Sequence, residues 1–134
     1  MKIRQPILPG IALLLSIALI GSCDGQSSTP TGAFKSFFEA AKKKDAAAMK
    51  KTISKRMLAE LEDDAKKENK TFDEYLLSVD LSDTMPEVRN EKIKGDTGWL
   101  EIKGRGDNWR ATKFVREDGE WKLDSDREEG ELNH

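Results

Sequence analysis

The spacing of the apolar residues changes once along the body of this chain, at Pro86, and that switch narrows the folds open to it. Before Pro86 the apolar residues recur three and four positions apart, the spacing of one helix face. After it they alternate and are cut by short glycine-rich turns. Helices first and consecutive antiparallel strands afterwards make an α+β domain, with N-terminal helices packed on an antiparallel sheet of about four strands. The 134 residues leave room for one such domain.

The helical half carries its own punctuation. Thr29-Pro30-Thr31 predicts a helix start, and Phe34, Phe37, Phe38 and Ala41 then fall on one face. Lys42-Lys43-Lys44 closes it, where cations suit the helix dipole. Asp45 is the predicted N-cap of a short helix from Ala46 to Thr52, with Met49 and Ile53 turned inward. Ser54 starts a third helix with Met57, Leu58, Leu61 and Ala65 inside. Its outer side offers Glu62–Lys66 and Asp63–Lys67 as ion pairs one turn apart. Thr71-Phe72-Asp73-Glu74 matches a capping box, and Phe72, Tyr75, Leu76 and Val79 form the inner face behind it.

The second half reads as a four-stranded meander: Glu87 to Lys94, Trp99 to Lys103, Trp109 to Arg116 and Glu120 to Asp124. The predicted turns are Gly95-Asp96-Thr97-Gly98, Gly104 to Asn108, and Glu117-Asp118-Gly119. Leu100 and Ile102 share a face; Trp109, Ala111 and Val115 share another, with Phe114 opposed to them. One face is expected under the helices and the other partly wet. Residues 127–134 are a polar tail.

Residues 1–22 form a leader. A positive start, Met1-Lys2-Ile3-Arg4, precedes a ten-residue apolar run, Ile11 to Ile20. As a helix that run spans about 15 Å, half of a bilayer core of about 30 Å, which suits a signal peptide rather than a membrane-spanning helix. It leads into Ile20-Gly21-Ser22-Cys23, which resembles the lipobox of bacterial lipoproteins. In that family the Cys thiol receives a diacylglyceryl group, the leader is cut before the Cys, and the new N-terminus is often acylated with a chain such as palmitate. The resemblance implies lipidation at Cys23, localisation at the bacterial cell membrane or envelope, and residues 23–30 as a lipidated Cys with a flexible tether. Asp24 resembles a signal for retention in the inner membrane.

Residues 31–126 resemble the nuclear-transport-factor-2-like superfamily, a cystatin-like cone. The motifs are Pro30-Thr31-Gly32-Ala33-Phe34 through Phe37-Phe38-Glu39-Ala40 with Lys44-Asp45 at the front. At the close stands Phe114-Val115-Arg116-Glu117-Asp118-Gly119-Glu120-Trp121-Lys122-Leu123-Asp124. In particular the chain is similar to small bacterial lipoproteins of that superfamily. The resemblance implies a sheet curved around the first helix, with a cavity between them and dimerisation through the sheet.

The residue inventory limits the chemistry. Setting aside Lys2 and Arg4 takes the net charge from −2 to −4, so no broad positive field exists for nucleic acid. The single Cys cannot form a disulfide within the chain, and the single His is the last residue, so neither a His-based metal site nor a triad is expected. No phosphate loop or cofactor motif is present; the glycine pairs sit between strands. Arg105-Gly106-Asp107 spells an adhesion tripeptide in a turn and is read as a turn. Trp99, Trp109, Trp121, Tyr75 and Phe37 are the candidates for cavity or partner contact, against core packing as the plainer reading. Lys42, Lys43, Lys44, Lys50 and Lys51 form a basic cluster that is either a solvated helix face or a rest for anionic headgroups. The expectation is a membrane-anchored envelope lipoprotein whose non-catalytic domain binds a small apolar ligand or a protein partner. The alternative is a small isomerase or dehydratase with a buried carboxylate in the cone.

Overall fold

The computed structural model describes residues 28–125. The predicted signal peptide, Cys23, the first part of the tether and the polar tail lie outside the described residues. The elements run α1 Pro30–Lys42, α2 Ala46–Lys51, α3 Lys55–Lys67, α4 Phe72–Leu77, then β1 Val88–Lys94, β2 Thr97–Lys103, β3 Trp109–Glu117 and β4 Glu120–Leu123. The strands form one open antiparallel sheet in the order β1-β2-β3-β4, and the helices pack against its curved face.

Each helix begins where its cap dictates. The side chains of Thr29, Asp45, Ser54 and Thr71 accept from the backbone N–H of Gly32, Ala48, Met57 and Glu74, satisfying donors that have no partner inside the first turn. At α4 the capping box is complete, with the Glu74 carboxylate accepting from the Thr71 N–H at 2.8 Å. The sheet turns are equally local. Asp118 and Gly119 both have positive φ, as a two-residue hairpin turn requires, and Gly95 supplies a positive φ at the first position of the β1–β2 turn. That turn is Gly95-Asp96 alone; Thr97 and Gly98, expected within it, belong to β2.

The register sorts the strands into two faces. Gly98 pairs with Phe114, Leu100 with Thr112, Phe114 with Leu123 and Arg116 with Trp121. This inner face holds Leu100, Phe114, Trp121 and Leu123 against Ala33 and Phe34 of α1, all buried. A second cluster joins Ala40, Met49, Ile53 and Leu76 among the helices. Phe37 and Met57 pack against both clusters and so join the two halves of the core.

Two details depart from the sequence reading. Val79 lies past the end of α4 and is 44% exposed, because the helix stops at Leu77 and its inner face ends with Leu76. Lys67 pairs with Asp64 at 3.4 Å rather than with Asp63, three residues apart instead of four, while Glu62–Lys66 stands at 4.0 Å. The sequence also concealed an edge contact. Thr52–Ser54, between α2 and α3, runs parallel to β4: the Leu123 N–H donates to the Thr52 carbonyl and the Ser54 N–H to the Leu123 carbonyl, each at 2.8 Å.

Candidate functional site

The face of the sheet turned away from the helices is the candidate site. Alternation from the inner residues assigns it Arg89, Lys92 and Lys94 of β1, Thr97, Trp99, Glu101 and Lys103 of β2, Trp109, Ala111, Lys113, Val115 and Glu117 of β3, and Glu120 and Lys122 of β4. None of these is buried; the two tryptophans are half-buried. The register sets Lys92 and Lys113 on either side of Trp99, and sets Trp109 opposite Lys103.

A bulge between Arg89 and Lys92 shapes one border of this face. Asn90 takes a positive φ there. The extra residue changes which way the strand presents its side chains. Glu91 thereby reaches α1, where its carboxylate accepts from the N–H of Thr31 at 2.9 Å and from its hydroxyl at 2.8 Å. A carboxylate suits that position, since the first helical N–H groups lack partners and the dipole is positive. On the solvent face, Glu101 accepts from Arg89 Nε and Asn90 Nδ2, each at 2.7 Å. Those two hydrogen bonds, Arg89 first, hold the Glu101 carboxyl below the usual carboxylate range. The Arg89 guanidinium also lies 3.8 Å from the Trp109 ring centre, a cation–π stack. Lys103 sits beside Asp107 at 3.0 Å, and that contact raises the pKa of its ammonium.

The five residues singled out from the sequence do not converge. Trp121 is 2% exposed and belongs to the core, with the Arg116 guanidinium 4.8 Å from its ring. Phe37 joins the two core clusters, and Tyr75 is half-buried on α4. Only Trp99 and Trp109 share a face. A separate depression of about 260 Å³ lies between the end of α1 and the segment after α4. Ala41, Leu76, Leu77, Val79 and Leu81 line its floor, with Lys42, Lys44 and Asp80 beside them; none of the five residues lines it. The basic cluster is divided as well: Lys50 is paired with Asp73 at 2.6 Å and lies over the Phe72 ring.

One carboxylate among the described residues is buried, Asp124, and sequence reasoning missed it. Ser54 donates its hydroxyl to Asp124 Oδ1 at 2.5 Å, and Arg56 Nη2 donates to Oδ2 at 2.8 Å. Lys113 Nζ stands 4.0 Å from the same oxygen, and Arg56 also donates to the Ser125 carbonyl. Both oxygens are thus engaged in fastening the start of α3 to the end of β4. A catalytic base needs a lone pair aimed at a substrate, and these point at fixed donors. Arg105 and Asp107 are likewise engaged, with Asp80 and Lys103. Among the described residues no group of three His, Cys, Asp or Glu side chains is placed to hold a metal ion, and no helix is long and apolar enough to cross a membrane.

Comparison with protein-family models, with curated proteins and with solved structures found no match.

Proposed function

We propose that the chain is a lipid-anchored protein of the bacterial cell envelope whose domain works by binding rather than by catalysis. The observation that carries the anchor is the apolar leader running into Ile20-Gly21-Ser22-Cys23, seven residues before α1 begins at Pro30 behind its Thr29 cap. Two or three acyl chains on Cys23, at about 0.8 kcal/mol per buried CH₂, hold a protein far more firmly than a single myristoyl chain does. The binding reading is supported by the open sheet face with Trp99 and Trp109 and by the full engagement of Asp124. The cone-like fold of the nuclear-transport-factor-2-like superfamily belongs to the same proposal. Its motifs fall on α1 and on the β3–β4 hairpin.

Replacing Cys23 by Ser in the full chain tests the anchor. The expected result is loss of leader cleavage before residue 23 and loss of the lipid-modified species from the membrane fraction. Unchanged processing and unchanged membrane partition in C23S would contradict it.

A further inference from the structure

We infer that the solvent face of the sheet docks on the anionic phospholipid headgroups of the bilayer that holds the chain. The inference rests on the lipid-anchor reading of Cys23 and adds which face meets the lipid. Two neighbouring cross-strand rungs carry it. Lys92, Trp99 and Lys113 stand side by side on β1, β2 and β3, and the next rung is Lys94, Thr97, Val115 and Lys122. Together they bring four lysines, an indole and a valine to one patch. The first rung runs on to Asp124 just past β4, whose carboxylate is buried against Ser54 and Arg56, and the rung beyond the second pairs Glu117 with Glu120. Lys113 stands 4.0 Å from Asp124, and Lys122 reaches the edge to bond Glu120 and the Lys51 carbonyl. Lys92 and Lys94 are exposed. An indole prefers the headgroup level of a bilayer. Lysine stems lie along apolar surface while their ammonium groups reach phosphates, so a positive patch of this kind complements an anionic leaflet. Lysines on an edge strand also discourage strand-to-strand pairing, which accounts for Lys92 and Lys94. That explanation does not extend to Trp99 and Lys113, which sit on interior strands.

The origin of the tether favours this face over Lys42-Lys43-Lys44. Pro30, where α1 begins, packs on Gly98 from the inner side. Trp99, the next residue, projects from the opposite side. The chain therefore leaves the domain behind this patch by roughly half the ~10 Å spacing of stacked sheets. The lysine triplet lies at the other end of a 13-residue helix, about 20 Å away. Residues 23–29 reach at most about 25 Å, enough to pass round the β1–β2 hairpin and let the face lie flat. A second copy is a poorer occupant, because two-fold pairing would oppose the same positive patches.

The test uses the lipidated full chain in vesicles of phosphatidylcholine, alone or mixed with phosphatidylglycerol. Both carry phosphatidylcholine brominated high on its acyl chains, and tryptophan quenching is read. Quenching is expected to be at least about twofold stronger in the anionic vesicles. It should fall to the neutral-vesicle level in the Lys92→Glu/Lys94→Glu double variant and in the unsubstituted lipidated chain at high salt, and should weaken in Trp99→Phe, where Trp109 remains on the face. A chain that floats with both vesicles and is quenched equally in both overturns the docking and leaves the anchor standing. A chain that floats with neither overturns the anchor and the docking together. Trp99 shielded from aqueous iodide yet unquenched by lipid would assign the face to a protein or a second copy, and would overturn the docking as well.

Discussion

Pro30 lies directly against Gly98: a Cβ added to Gly98 would stand 2.8 Å from the Pro30 Cγ and 3.1 Å from the Trp121 ring. Both neighbours are rigid and buried, so neither can swing aside. Gly98→Ala is therefore predicted to destabilise the domain by about 1–3 kcal/mol, as overpacking does. The unfolded-chain benefit of losing a glycine, about 0.4–1 kcal/mol, opposes this and is the smaller effect. A urea midpoint shifted down at constant m-value is the expected reading; an unchanged or raised midpoint would mean that α1 is not seated on β2 as described.

The three tryptophans should separate by burial. Trp121→Ala removes a fully packed core side chain and is expected to cost about 3–5 kcal/mol. Trp99→Phe and Trp109→Phe act on the open face and should each stay within about 1 kcal/mol. Thermal unfolding of the three variants in parallel checks this. Comparable losses at all three positions would mean that the solvent face is covered.

Much of this arrangement was legible in the sequence because it is set locally. The caps Thr29, Asp45, Ser54 and Thr71 and the alternation after Pro86 each depend on a few adjacent residues and lie where they were read, as does the last hairpin turn except that Glu117, read as part of it, ends β3 and leaves Asp118-Gly119 as the turn. What escaped depends on distant partners. The burial of Asp124 follows from Ser54 and Arg56, which precede it by 70 and 68 residues. The pairing of Thr52–Ser54 with Leu123 has no local signal either. The different fates of Trp99 and Trp121 follow from strand register, which two-residue turns fix only once the turn is placed at Gly95-Asp96. The role of Glu91 at the start of α1 depends on a bulge that breaks the alternation.

Asp124 should behave as a structural fastener. Its side chain is 3% exposed and its partner Arg56 is 32% exposed. Asp124→Ala is predicted to cost about 2–3 kcal/mol, since a charged hydrogen-bond acceptor is lost beside a half-buried guanidinium. A double-mutant cycle with Ser54→Ala should show coupling of about 0.5–2 kcal/mol, because that hydroxyl both donates to Asp124 and accepts from the Met57 N–H. Additive losses would mean that the two groups act independently.

Acid should loosen the contacts of two exposed carboxylates. Glu74 is held below the usual range by the Thr71 backbone N–H and then by the Thr71 side chain; Glu101 is held there by Arg89 and then Asn90. A carboxyl depressed in the folded state adds stability above its unfolded value of about 4.3 and loses it as pH falls through the lower folded value. Titration followed by NMR should place both groups below an ordinary glutamate. Arg89→Ala should return Glu101 toward the ordinary value and leave Glu74 unmoved. A Glu101 that does not respond to the loss of Arg89 would refute that linkage.

The anchor is tested most directly by the intact mass and N-terminal peptide of the full-length chain recovered from the membrane fraction of a bacterial host. The expected species begins at Cys23 and carries a diacylglyceryl group on its sulfur. A chain that retains Met1, or one that begins at Cys23 with a free thiol, would contradict lipid anchoring.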